Sequence, residues 1–265
     1  SEMCIRDRYM DRYLRLPFYY WSYRLPETQA RIAKTFSDEQ LLNRKFCNFV
    51  YSNSRYANQA RKDFFDLLSE YKRVDAGGAC RNNIGYRVPD KYEFQKDYKF
   101  SIAFENASHY GYTTEKILDA FVAKTIPIYW GNPQVVKDFN KDAFINCNDY
   151  ASLEEVVQKV IELDRDDEAY LKMVKTPFLN DGKLYKELND EKIVAFFDNI
   201  FSKGKDFYYR MNPHPEQFES GQEVCSCKYH QYVLSKGFNL FIKILCLVLP
   251  VKQWRKNLQC FYKVK

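Results

Sequence analysis

The chain is poor in histidine, with three among its 265 residues. That scarcity leaves little material for a histidine-rich metal centre. The one grouping that invites the idea, Cys225-Ser-Cys-Lys-Tyr-His230, lacks the spacing of a known zinc ligand set. No apolar run reaches the roughly 18 residues that a transmembrane helix needs, and no signal peptide is recognisable. The eight cysteines are scattered at positions 4, 47, 80, 147, 225, 227, 246 and 260. Without dense, regular spacing they do not read as a secreted disulfide scaffold; reduced thiols in the cytoplasm are the simpler expectation. Internal repeats are absent, and so is any clustered Lys/Arg face or nucleic-acid-binding motif. The net charge of +6 therefore favours an anionic partner such as a nucleotide or a membrane surface, not DNA or RNA.

What the chain does have is hydrophobic material, 46% overall and 17% aromatic, enough for one large or two small folded domains. Residues 98–131 are the most informative stretch, because they read as strand, polar turn, helix and strand with charge gathered at one joint. Phe100, Ile102, Ala103 and Phe104 suit a strand covered on both faces of a mostly parallel sheet. Glu105 and Asn106 follow at its carboxyl end. Thr113 or Thr114 can then cap a helix whose Ile117, Leu118, Ala120, Phe121 and Val122 face the sheet. Lys116 in the first turn runs against the preference for acids there and calls for an anion nearby. Beside Glu115 it makes a polar pair suited to phosphates and ribose hydroxyls; as pattern alone, two solvated helix residues fit equally well. Residues 126–130 form the next strand, ended by Gly131-Asn-Pro133, which completes a βαβ crossover.

Other elements follow from periodicity. Residues 46–52 read as a strand. Residues 59–71 read as a helix burying Phe64, Phe65, Leu67 and Leu68. A short strand from Val74 runs into Ala76-Gly-Gly78, either a plain turn or a place where backbone approaches a ligand. A strand at 143–145 precedes helices at 152–163, around 166–174, and at 185–201. The tail differs. Residues 238–256 combine apolar runs with Lys243, Lys252, Trp254, Arg255 and Lys256, which suits a helix lying in a membrane surface; docking on the protein's own core or on a second copy is the alternative.

Phe104-Glu-Asn106, Tyr112-Thr-Thr-Glu-Lys-Ile117 and Ile126-Pro-Ile-Tyr-Trp-Gly131 together resemble the donor-binding signature of the α1,3/α1,4-fucosyltransferases, glycosyltransferase family 10, and most of all its bacterial Lewis-antigen-type members. The similarity extends upstream through Lys45-Phe-Cys-Asn-Phe-Val-Tyr-Ser-Asn53, Arg61-Lys-Asp-Phe-Phe65, Val74-Asp-Ala-Gly-Gly78 and Asn82-Asn-Ile-Gly85. Downstream it runs through Asp138-Phe-Asn140 to about residue 200. The resemblance implies an α/β fold, the Rossmann-like C-terminal donor domain of a GT-B glycosyltransferase with its N-terminal acceptor domain largely missing. It implies inverting transfer of L-fucose from GDP-fucose to a GlcNAc hydroxyl of a glycan, with no metal required. It further implies that Glu115 binds ribose, that Lys116 binds phosphate, and that Arg61, Asn106, Tyr112 and Glu105 contact the nucleotide. Arg61 and Lys116 are the expected catalytic residues, stabilising the departing diphosphate; without the resemblance, Arg61 would read as a surface helix arginine.

The expected organisation is a non-native scar at 1–10, an inter-domain segment at 11–44, a GDP-fucose-binding domain at 45–205 and a tail at 206–265. Residues 1–10 lack a start methionine and do not share the resemblance. The base that takes the acceptor's proton is expected in the missing acceptor half, because Glu2, Asp7, Asp11 and Glu27 stand in no convincing motif. Such a fragment would bind donor and turn over poorly or not at all. The expected location is the cytoplasm, with peripheral association to the inner face of the membrane through the tail. A non-catalytic nucleotide-sugar-binding module is the alternative.

Overall fold

The computed structural model describes residues 14–52, 58–182 and 190–202. Five parallel strands form one sheet in the order β2-β1-β3-β4-β5: β1 is Lys45–Phe49, β2 Val74–Ala76, β3 Tyr98–Phe104, β4 Ile126–Trp130 and β5 Ile145–Asn146. Strand β3 is central and buried along its whole length, as its mostly apolar sequence, relieved only by Lys99 and Ser101, suits. It pairs with β1 through Cys47 opposite Phe100 and with β4 through Ile102 opposite Ile128. The order reverses direction between β1 and β3, which makes a doubly wound Rossmann-like sheet whose crevice opens at the carboxyl ends of those strands.

Alternation along the strands distributes two cores. Phe100, Ile102 and Phe104 of β3 point with Ile126 and Ile128 of β4 toward α4 (Ala60–Tyr71), α7 (Leu153–Arg165) and α8 (Asp167–Lys175). On the other face Ala103 and Tyr129 meet Ile117, Leu118 and Phe121 of α6 (Glu115–Val122), together with Tyr19 of α1 (Phe18–Arg24) and Tyr92 of α5 (Lys91–Gln95). Helix α4 buries Phe64, Phe65 and Leu68, with Leu67 only partly covered.

Some boundaries differ from the sequence reading. Residues 141–143 form a 3-10 turn, closed by the Asn140 side chain accepting from Asp142 N, so the strand expected at 143–145 begins at Ile145. The inter-domain segment, read as a linker with one short helix over 21–44, holds α1, α2 (Pro26–Ile32) and α3 (Asp38–Leu42), the last with a capping box between Ser37 and Gln40. Short α5 was not anticipated; the Asp90 side chain accepts from Glu93 N and starts it. The last described helix, α9, spans Asp190–Ser202. The segments read as a scar and as a membrane-surface tail lie outside the described residues.

Candidate functional site

Glu105 leaves β3 and turns inward. Its backbone N–H donates to Trp130 O at 2.8 Å, extending the β3–β4 pairing by one bond, and the residue is 0% exposed. The carboxylate accepts from Thr114 N at 2.7 Å, from the Thr114 hydroxyl at 2.9 and 2.8 Å, and from Lys116 Nζ at 3.0 Å. Thr114 is indeed the residue before α6, but its hydroxyl makes no cap hydrogen bond, because Glu105 and Lys116 already engage it. A carboxylate from the neighbouring strand thus sits at the helix start, where partial positive charge favours it. Gly131 makes room for this arrangement: a Cβ there would lie 2.5 Å from Glu105 Cγ and 2.8 Å from the Tyr129 hydroxyl.

The anion that Lys116 called for is therefore partly internal. Its ammonium donates to Glu105 and, at 2.9 Å, to Thr114 Oγ1, and it lies 3.8 Å from Glu115. An ammonium carries three N–H groups, so one remains for a ligand oxygen.

Arg61, on α4, is 1% exposed and is not a surface arginine. Its Nη2 donates to Phe104 O at 2.9 Å and to Asn106 Oδ1 at 2.7 Å, and its guanidinium lies 4.0 Å from the Tyr51 ring centroid. Tyr51 is itself fixed: its hydroxyl donates to Ile102 O and accepts from Phe104 N, both at 2.7 Å. Burial pushes the Tyr51 hydroxyl pKa up, so it remains a neutral support under the arginine.

The loop between β3 and α6 is held from below. Asn132 accepts from Gly111 N at 3.0 Å and donates to Thr113 Oγ1 at 2.9 Å. Arg15 grips buried Asp138 at 2.6 and 2.7 Å and Gly111 O at 3.0 Å, and Thr113 donates to the same carboxylate at 3.0 Å.

These elements enclose a cleft of about 700 Å³ at the carboxyl ends of β1 and β3, a size suited to a nucleotide-sized ligand. Arg61, Asn106, Glu115 and Lys116 all line it. The other two expected residues do not. Glu105 lies buried beneath, spent on Thr114 and Lys116, so its place is that of a support and not of a ligand contact. Tyr112 is 37% exposed on the loop; partial burial and then the Glu105 and Glu115 carboxylates hold its hydroxyl pKa above the usual tyrosine value.

The cleft also contains residues the sequence reading passed over: Tyr51, Arg87, and the ion pair of Lys91 with Asp119 at 2.7 Å. Asp119 had a signal, since it stands one helical turn beyond Glu115 and so on the same face. The glycine turn approaches protein instead of ligand. A Cβ on Gly78 would lie 2.1 Å from Tyr51 O, and one on Gly77 2.3 Å from Val88 Cγ2, so the pair lets the cleft wall close around Tyr51 and Val88. Among the described residues no group of three His, Cys, Asp or Glu converges as a metal site, and the Cys225 to His230 segment lies outside them.

A doubly wound parallel sheet with an acid, a lysine and an arginine around one crevice is an α/β domain suited to a polyanionic, hydroxyl-bearing ligand. The chain belongs to glycosyltransferase family 10: residues 41–175 match the model described as glycosyltransferase family 10 (fucosyltransferase) C-term. It is 37% identical over 237 residues to the alpha-(1,3)-fucosyltransferase FucT of Helicobacter pylori, covering 77% of this chain and 49% of that protein. A putative fucosyltransferase, R654, of Acanthamoeba polyphaga mimivirus is 28% identical over 216 residues, covering 76% of this chain and 35% of the relative. A crystal structure of an alpha1,3-fucosyltransferase with GDP-fucose superposes with a TM-score of 0.65 at 37% identity, covering 72% of this chain and 66% of that one. The chain thus spans about half the length of the H. pylori relative and about a third of the viral one.

Proposed function

We propose that this chain carries the donor site of an inverting fucosyltransferase that moves L-fucose from GDP-fucose to a GlcNAc hydroxyl of a glycan. The observation that carries the reading is the convergence of Arg61, Asn106, Glu115 and Lys116, from α4, the end of β3 and the start of α6, on one cleft. A relative of similar sequence and fold has been crystallised with GDP-fucose, which supports the same ligand.

In this reading Glu115, half-buried at the cleft wall, accepts hydrogen bonds from ribose hydroxyls. Lys116 gives its remaining N–H to a diphosphate oxygen. Arg61 adds a second cation whose direction is fixed by Phe104 O, Asn106 and Tyr51. As the bond between fucose and GDP breaks, negative charge grows on the diphosphate, and two preoriented cations in a partly desolvated cleft stabilise that charge more than the ground state. No metal is required in this scheme. Tyr112 stands at the loop edge where it can close over the nucleotide. The basic amphipathic tail is assigned to contact with an anionic membrane on the cytoplasmic side; liposome co-sedimentation unchanged on deleting residues 237–265 would remove that assignment.

Calorimetric titration with GDP-fucose tests the donor site. The chain should bind, and Glu115→Ala and Lys116→Ala should each weaken binding by roughly ten- to hundredfold, the loss of one charge-assisted contact of about 1.5–3 kcal/mol. A well-folded chain that shows no binding would defeat the assignment.

A further inference from the structure

A second cavity, of about 520 Å³, opens beside the amino end of β4, the end of that strand away from the donor cleft. Its walls are apolar: Phe36, Leu41, Phe121, Val174, Phe178 and Leu179. Phe121 and Phe178 stack at 4.8 Å and 15° to make a flat side. Its rim is basic, formed by Lys34, Lys124 and Lys175, and none of the described lining residues is acidic.

The three lysines are not equivalent. Lys175 is paired with Asp38 at 2.6 Å, and Lys34 lies 5.1 Å from the centroid of the Tyr92 ring. Lys124 is half-buried, and its ammonium has no ion pair or hydrogen bond with any described residue; burial alone pushes its pKa down. Its backbone is unusual as well. Lys124 N donates to Phe121 O and Thr125 N to Ala120 O, the paired bonds of a Schellman motif that ends α6. The residue in that motif's left-handed position is normally glycine, yet here a lysine holds φ 53°. Next to it Thr125 lines the cavity, 2% exposed, and its buried hydroxyl has no hydrogen-bond partner among the described residues. A strained, half-buried cation without an ion-pair partner among the described residues, beside a buried hydroxyl, carries a free-energy cost. An anion would relieve both groups.

We infer that this cavity binds a single-chain anionic amphiphile, its hydrocarbon chain lying on Phe36, Phe121 and Phe178 and its headgroup held by Lys124, Thr125 and Lys34. Its volume falls in the range of small-molecule sites, and its lining, mostly apolar with a few convergent polar groups, has their usual character. The site is independent of the donor cleft and does not rest on the fucosyltransferase reading.

The test is calorimetric titration of the full chain with dodecyl phosphate below its micellar concentration, with dodecanol and with inorganic phosphate. Dodecyl phosphate should bind saturably at one site and at least tenfold more tightly than either of the others. Lys124→Gly should weaken that binding at least tenfold while raising the thermal midpoint of the unliganded chain, since glycine removes the left-handed strain; Thr125→Val should weaken it in a chain whose midpoint is raised or unchanged, never lowered, since the substitution removes a buried hydroxyl without a partner. Absence of saturable binding, equal affinity for dodecanol, or undiminished binding by a folded Lys124→Gly chain would each overturn the inference.

Discussion

Glu105→Gln is the most informative single change, because one buried carboxylate ties β3 to the start of α6 and to Lys116. The wild-type group accepts from Thr114 N at 2.7 Å, from the Thr114 hydroxyl, and from Lys116 Nζ at 3.0 Å. Glutamine keeps one acceptor oxygen, which can still serve Thr114 N, but it turns an NH₂ group toward an ammonium, donor against donor. Breaking a buried pair by removing one partner costs about 3–5 kcal/mol. The Lys116 side chain is 14% exposed, so water partly solvates the abandoned ammonium. The lower end, about 3 kcal/mol, is therefore expected. Urea unfolding followed by tryptophan fluorescence reads this, with Trp130 at the end of β4 beside the site. A double-mutant cycle with Lys116→Met isolates the pair: the doubly substituted chain should lose about 1–3 kcal/mol less than the sum of the single losses. Additivity within about 0.5 kcal/mol would refute the claim that Glu105 acts by holding Lys116.

Three further outcomes follow from the same geometry. Gly131→Ala should destabilise the chain by about 1–3 kcal/mol in thermal unfolding, since its Cβ would meet Glu105 and the Tyr129 hydroxyl well inside contact distance; a neutral effect would contradict that packing. Tyr51→Phe should cost about 1–3 kcal/mol in urea, because it leaves Ile102 O and Phe104 N without their buried partner while keeping the ring under Arg61. Cys47 and Cys147 are buried, and burial raises their thiol pKa values, so peptide mapping after maleimide treatment at pH 8 should find both unlabelled in the native chain and labelled in urea.

The central crossover was legible because its signals agreed. A run from Phe100 to Phe104 broken only by Ser101, an amphipathic helix after Thr114 and a second apolar run from Ile126 leave little choice except a buried β-α-β unit. The pairing of Glu115 and Lys116 at one helix start was legible for the same reason. What escaped depends on contacts between distant residues. Helices α1 and α2 are seven residues each, separated at Leu25-Pro26, and α1 buries Tyr19 and Tyr20 while α2 buries no residue fully, so neither shows a sustained apolar stripe. Glu105 stands in sequence as one more polar residue at a strand end; its inward turn depends on the space left by Gly131, just past the end of the adjacent strand β4. Arg61 lies in a helix whose pattern suits a surface arginine, and it is buried because α4 packs where Tyr51, Phe104 and Asn106 meet.

A crystal structure of this chain with GDP tests the central claim most directly. Ribose hydroxyls are expected on Glu115, and diphosphate oxygens within hydrogen-bond distance of Lys116 Nζ, beside Arg61, in the cleft between the ends of β1 and β3. A nucleotide bound elsewhere on the chain, or one whose ribose and diphosphate avoid Glu115 and Lys116, would contradict it.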